Sequence, residues 1–181
     1  MQSIIKGGLL GGIVLFAWEA VSWMVLPWHN ATLHTFTQEN VVEVVLTSSV
    51  PKAGLYMLPN PHAAKTPEAM KAAKERAEKG PFAFVAIQPK GWGSMPPHLL
   101  MGLLTQIAGA ALVTGLLLIG KGKRSYGEKV GFVVLFALAS AVVCHIPFWN
   151  WWGFPMEFTL LSFADLLIGW ALAGLVLAKL V

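Results

Sequence analysis

Two acidic residues lie inside long apolar stretches of the sequence, where charged side chains are uncommon. Glu19 falls in the first apolar stretch, and Asp165, the only aspartate in the chain, falls in the last. A carboxylate within such a stretch is costly unless it faces polar groups or water, so it often marks a functional cavity. Two neighbouring carboxylates can share a proton, bind a cation or act as acid and base. We therefore take Glu19 and Asp165 as candidate catalytic residues.

Other polar residues are expected at the same depth as these two acids. At 1.5 Å per helical residue, Glu19 and Asp165 lie roughly 12 Å and 10 Å below the outer ends of their stretches. The same level on the two middle stretches contains Thr105, Gln106 and Ser140. The predicted pocket is lined by Gln106, Ser140, His145 and Asn150. The alternative is that these groups only join helices through hydrogen bonds, each worth about 0.6 kcal/mol.

Histidines offer a second kind of chemistry. The five histidines are His29, His34, His62, His98 and His145. Imidazole with carboxylate would suit zinc, and imidazole with thioether would suit copper, so His29, His98 and His145 are candidate metal ligands. Their spacing matches no known ligand pattern, and polar residues at a membrane interface are the simpler interpretation. No cofactor is predicted.

The elements that must position these residues are four apolar stretches of about 20 residues each. Hydrophobic residues make up 56% of the chain and charged residues only 12%, against about 25% charged in soluble domains. A helix of about 20 apolar residues crosses the hydrocarbon core of a bilayer. The sequence therefore predicts an all-α integral membrane protein, a four-transmembrane-helix bundle with a small mixed α/β extracytoplasmic subdomain between helices 1 and 2.

The predicted boundaries follow the apolar stretches and the segments between them. The transmembrane helices are expected over residues 1–27, 99–120, 130–147 and 158–181. The segments between them are an extracytoplasmic subdomain over 28–98, a cytoplasmic loop over 121–129 and an outer aromatic turn over 148–157.

Charge and aromatic residues set the expected orientation. Lys121, Lys123 and Arg124 lie in the short loop between the second and third helices, which the positive-inside rule places in the cytoplasm. Both termini are then cytoplasmic and residues 28–98 extracytoplasmic, as in a bacterial inner-membrane protein. Tryptophans then form an aromatic belt at the outer interface. The predicted membrane-anchoring residues are these basic residues and four tryptophans: Lys121, Lys123, Arg124, Trp28, Trp149, Trp151 and Trp152.

The outer segment contains local signals of a folded subdomain. Thr66, Pro67 and Glu68 form a helix start, and Gly80 with Pro81 forms a stop, so a helix is predicted up to Lys79. Strands are predicted over Leu55–Leu58 and Phe82–Gln88. The β-branched run Glu39–Ser49 fits a strand or a helix, and we favour a helix because Thr37 can cap it and Pro51 can end it.

Three functions remain open from the sequence. The first is a small binding or accessory subunit that holds a protein partner, lipid or small ligand at its outer face and polar pocket. The second is a membrane-embedded enzyme that uses Glu19 and Asp165 on a lipid-borne substrate. The third is an oligomeric channel or transporter. The expected partners are the lipid bilayer and a protein partner or further copies of the chain; nucleic acid is not expected, because the net charge of +4 is explained by basic residues at membrane boundaries.

Overall fold

A computed structural model describes residues 1–119 and 124–181 and is mostly helical. Its α-helices, in chain order, are α1 (Gln2–Met24), α2 (Trp28–Ala31), α3 (Glu39–Ser49), α4 (Pro67–Lys79), α5 (Met95–Ile119), α6 (Tyr126–Trp152) and α7 (Met156–Leu180). Within the described residues, α1, α5, α6 and α7 are long and apolar enough to cross a membrane. The prediction of four long apolar helices is thus confirmed.

Helices α5 and α6 extend further than the apolar stretches alone indicate, whereas α1 ends at Met24 and not at Pro27. Helix α5 begins at Met95, because Pro96 and Pro97 occupy first-turn positions whose N–H groups need no helical partner. Helix α6 continues past Pro147 to Trp152, so the turn predicted over 148–157 is confined to the three residues before α7. Gly153, with a φ of 75°, ends α6 there.

One compact unit comprises residues 1–33, 94–147 and 155–181. In it α1 packs against α5 and α7. Glycines allow the close approach of α1 and α5: a Cβ on Gly12 would lie 2.6 Å from Cα of Ile107, and one on Gly8 would lie 2.9 Å from Cβ of Ala111. The spacing Gly8 to Gly12 is the small-residue pattern of closely packed membrane helices.

Two small groups of buried apolar side chains form the core of this unit. Leu15, Ala110 and Ala173 bring together α1, α5 and α7. The second group joins α5, α6 and α7 and consists of Val113, Leu117, Val133 and Leu177. Glu19, Gln106 and Asp165 therefore lie on helices that apolar contacts already hold together.

The second compact unit comprises residues 34–93 and 148–154. Its strands β1 (Gly54–Leu58) and β2 (Ala83–Ile87) pair antiparallel, with Tyr56 opposite Val85. Helix α4 begins as predicted, since Oγ1 of Thr66 accepts a hydrogen bond from the Ala69 N–H. The two predicted strands and the helix over Glu39–Ser49 are confirmed. Trp152 stacks on Phe84 within this unit, with ring centroids 4.4 Å apart.

Candidate functional site

A cavity of about 290 Å³ lies within the first compact unit. It brings together both acids singled out from the sequence, together with aromatic and polar side chains of α1, α2, α5, α6 and α7. Its lining residues are Leu15, Trp18, Glu19, Trp23, His29, Gln106, His145, Phe158, Ser162, Asp165, Leu166, Gly169 and Trp170.

Asp165 is held by donors from the other end of the chain. The indole N–H of Trp18 donates to Oδ1 of Asp165 at 2.7 Å and to its backbone carbonyl at 3.0 Å. Nε2 of His29 lies 3.2 Å from Oδ2. The carboxylate side chain is only 13% exposed, and both of its oxygens have partners. This is the satisfied state that a buried carboxylate requires.

Glu19 lies one position after Trp18 and uses a different partner. The amide Nε2 of Gln106 donates to Oε1 of Glu19, which ties α1 to α5. The hydrogen bonds of the described residues engage only Oε1 of this carboxylate, and Glu19 lines the cavity. Its second oxygen therefore has acceptor capacity for a ligand.

His29 is buried to 2% exposure on the short helix α2. Trp23 stacks on its ring with centroids 3.7 Å apart and planes 8° apart. On one side of the ring Nε2 lies 2.9 Å from Oγ of Ser22 and also faces Asp165. Nδ1 is buried, and no hydrogen-bond partner for it exists among the described residues. The site thus holds an imidazole with one nitrogen engaged and one unengaged.

Ser22, His29 and Asp165 are the residue types of a nucleophilic triad, but their geometry differs from one. In such a triad the serine and the carboxylate bind opposite ring nitrogens, so that the imidazole can take the serine proton while the carboxylate orients it. Here Oγ of Ser22 and Oδ2 of Asp165 both lie near Nε2. Ser22 is also completely buried and accepts the indole N–H of Trp28 at 3.0 Å. The arrangement suits a structural hydrogen-bond network better than a nucleophile.

Only two of the four residues that were predicted to line the pocket are found in the lining of this cavity. Gln106 and His145 line the cavity. Ser140 instead donates to the carbonyl of Phe136 at 2.9 Å, and Thr105 is exposed and donates to the carbonyl of Met101. Asn150 belongs to the second compact unit.

The candidate metal ligands and anchors can also be located. His29 and His145 line the cavity, while His98 is an exposed residue of α5. In residues 1–119 and 124–181, no three His, Cys, Asp or Glu residues are grouped closely enough to hold a metal ion.

Among the anchoring residues, Trp28 has an internal role, since its indole N–H also donates to the Ser22 carbonyl. Trp149 and Trp151 are exposed, whereas Trp152 packs on Phe84. The guanidinium of Arg124 lies 4.9 Å from the ring centre of Phe132. Lys121 and Lys123 lie outside the described residues.

Trp18, Ser22 and Ser162 belong to the site but were not predicted from the sequence. On α1, Trp18 and Glu19 lie three and four residues after Leu15, and Ser22 lies three residues after Glu19, so the four share one helical face. Ser22 could have been identified from its spacing to Glu19, and Trp18 from its spacing of four residues to Ser22. Ser162 precedes Asp165 by three residues on α7, and the same rule applies to it.

Comparison with known proteins adds no identity to this geometry. No protein-family model, curated protein or solved structure matches the chain.

Proposed function

We propose that this chain is an integral membrane protein, a four-helix bundle that binds a small ligand in the cavity around Glu19 and Asp165. The membrane assignment is supported by the long apolar helices and by the large apolar side chains that they expose. Examples on three of these helices are Leu112, Leu135, Val143 and Leu160, each more than 60% exposed. Exposure of such large apolar surfaces to water is unfavourable, whereas the hydrocarbon core of a bilayer can cover them.

The proposed setting is a bacterial inner membrane with both termini in the cytoplasm. It is supported by the basic residues between α5 and α6 and by the exposed tryptophans Trp149 and Trp151 near the opposite end of α6. Residues 28–98 would then be extracytoplasmic.

The observation that carries the binding function is the convergence of two carboxylates, two imidazoles and an amide on one cavity. These five groups lie on α1, α2, α5, α6 and α7. Apolar core contacts hold the four long helices among them together. A cavity with a few convergent polar groups and a largely aromatic or apolar lining is the usual form of a small-molecule site.

Ligand retention by a cavity-blocking variant tests this function. The protein is purified from its native membranes, and bound small molecules are identified by native mass spectrometry for the wild type, Ser162→Leu and Ser140→Leu. Ser162 lines the cavity and donates to the carbonyl of Phe158. Ser140 makes the same kind of bond to Phe136 outside the lining, so it is the matched control.

We expect a compound that is retained by the wild type and Ser140→Leu and lost from Ser162→Leu, with cooperative unfolding in all three. A compound that is bound equally by all three variants would contradict the proposal, as would a wild type that retains no compound and binds none of the probes described below.

A membrane-embedded enzyme is the second candidate, because general acid–base catalysis needs two titratable groups in one cavity and Glu19 and Asp165 provide them. Incubation of the purified protein with the compound identified above separates the two functions. A product formed by the wild type and not by Glu19→Gln favours the enzyme, and recovery of unchanged compound favours binding.

A further inference from the structure

We propose that the ligand of this cavity is a small organic ammonium cation, an inference that rests on the binding function above. Two independent features of the lining support a ligand of this chemistry: its acidic residues and its aromatic residues.

The charged groups of the lining favour a cation. Glu19 and Asp165 are the two acids of the cavity, and none of its lining residues within the described part of the chain is Lys or Arg. His29 and His145 are the other titratable residues of the lining. In a low-dielectric setting a carboxylate attracts a positive ligand and repels an anion.

The aromatic residues favour an organic cation over a hydrated inorganic one. Trp18, Trp23, Phe158 and Trp170 contribute to the lining. The faces of aromatic rings attract ammonium groups and form the cages that recognise quaternary ammonium ligands. Trp18 is held in place by its bonds to Asp165, so one carboxylate and one ring are already positioned together.

His29 contacts the second oxygen of Asp165. Its side chain is about 3% exposed, and Nε2 lies 3.2 Å from Oδ2. Choline and ethanolamine are small ammonium compounds of the class that the acids and the aromatic rings favour.

The cavity is large enough for a compound of this class. Its volume of about 290 Å³ is on the order of ten times the share of one water molecule in the liquid, about 30 Å³. Choline and ethanolamine fit this space, whereas a complete phospholipid would place only its headgroup there. The same ammonium chemistry can therefore come from a free compound or from a lipid headgroup.

The test measures choline binding by tryptophan fluorescence of the purified protein in detergent. The uncharged isostere 3,3-dimethylbutan-1-ol controls for shape. Glu19→Gln and Asp165→Asn remove charge while they keep an acceptor oxygen for Gln106 and Trp18. The matched control Glu157→Gln removes an exposed acid of α7 that does not line the cavity.

We expect saturable binding of choline and no saturation with the isostere. Each cavity variant should weaken choline binding about tenfold, equivalent to about 1.4 kcal/mol, and Glu157→Gln should bind as the wild type does. Thermal unfolding of every variant shows whether weaker binding reflects a lost charge or a lost fold. Equal binding of choline and its isostere, or affinity unchanged in both folded cavity variants, would overturn the proposal.

A second arm identifies the source of the ammonium group. The protein is placed in nanodiscs of phosphatidylglycerol, with or without phosphatidylethanolamine, and titrated with choline and ethanolamine. Competition by phosphatidylethanolamine supports a lipid headgroup, and undiminished binding in its presence supports a free compound. Failure of choline, ethanolamine and phosphatidylethanolamine to bind overturns the cation inference.

The two proposals fail in distinguishable ways. If native mass spectrometry finds a neutral or anionic compound that Ser162→Leu loses, the cation inference is wrong and the binding function stands. If no compound is retained and no ammonium probe binds, both are wrong.

Discussion

The single indole N–H of Trp18 reaches two oxygens of Asp165, at 2.7 Å to Oδ1 and 3.0 Å to the backbone carbonyl. This contact joins α1 to α7. Gly169, one turn further along α7, makes room for it, since a Cβ there would lie 2.8 Å from Cδ1 of Trp18. The position of Asp165 in the cavity thus depends on a tryptophan as well as on its own helix.

Replacement of Trp18 by phenylalanine should lower stability and weaken ligand binding. The ring remains but the N–H is lost, and a hydrogen bond to a charged group contributes about 1.5 to 3 kcal/mol. We expect a loss of that size in the free energy of unfolding, measured by titration with a denaturing detergent. Trp151→Phe is the control, because Trp151 is 72% exposed. Equal stabilities for the two variants would show that the contact contributes nothing.

Alanine at Gly12 should loosen the packing of α1 on α5. The new Cβ would lie 2.6 Å from the backbone Cα of Ile107, which cannot move aside as a flexible side chain can. Overpacking of this kind costs about 1 to 3 kcal/mol. At Gly115 a Cβ would meet nothing within 4 Å, so Gly115→Ala should leave stability unchanged or raise it by up to about 1 kcal/mol. The same detergent titration measures both variants, and a stable Gly12→Ala protein would contradict the described helix contact.

Loss of the Ser22 hydroxyl should have a small effect. Trp28 keeps its hydrogen bond to the Ser22 carbonyl at 3.0 Å, so Ser22→Ala should cost about 1 kcal/mol and leave ligand binding intact. Since Ser22 is completely buried, a fluorophosphonate probe should not label it. Labelling of the wild type that disappears in Ser22→Ala would instead identify a nucleophile and favour the enzyme.

Cysteine accessibility tests the proposed orientation. Cys144 is exposed and is first replaced by serine, after which single cysteines are placed at Ala72 on α4 and at Ser125 before α6. A membrane-impermeant maleimide added to intact cells should label Ala72→Cys at once and Ser125→Cys only after permeabilisation. The reverse pattern would invert the orientation, and labelling of both in intact cells would remove the membrane topology proposed here.

Elements of the fold that are determined by residues close to them in the sequence could be predicted. Helix α4 is specified by its Thr66 cap and its glycine stop, and both signals lie within a few residues of the helix. The presence of the long helices follows from the length of the apolar stretches, but their ends do not. The end of α6 could not be placed in this way, because Pro147 is a local stop signal that the folded chain overrides by continuing to Trp152.

The two acids of the site could be predicted from the sequence, but the residues that contact them could not. An ionisable residue in an apolar stretch is visible in the sequence, so Glu19 and Asp165 were identified. Trp18 and Asp165 are 147 positions apart, and no local pattern indicates that they meet. His29 was predicted as an interfacial residue or metal ligand, whereas the chain after α1 turns and places it against Asp165 through α2.

The separation of Glu19 from Gln106 has a consequence for how the chain is made. These partners are 87 positions apart, so at about 5 to 20 residues per second a ribosome adds Gln106 roughly 4 to 17 s after Glu19. During that interval α1 is complete but lacks both its glycine-matched neighbour and its amide donor. Until α5 has been synthesised, the hydrogen bond between Glu19 and Gln106 cannot form, so the carboxylate of Glu19 depends on water or on other groups for its hydrogen-bond partners.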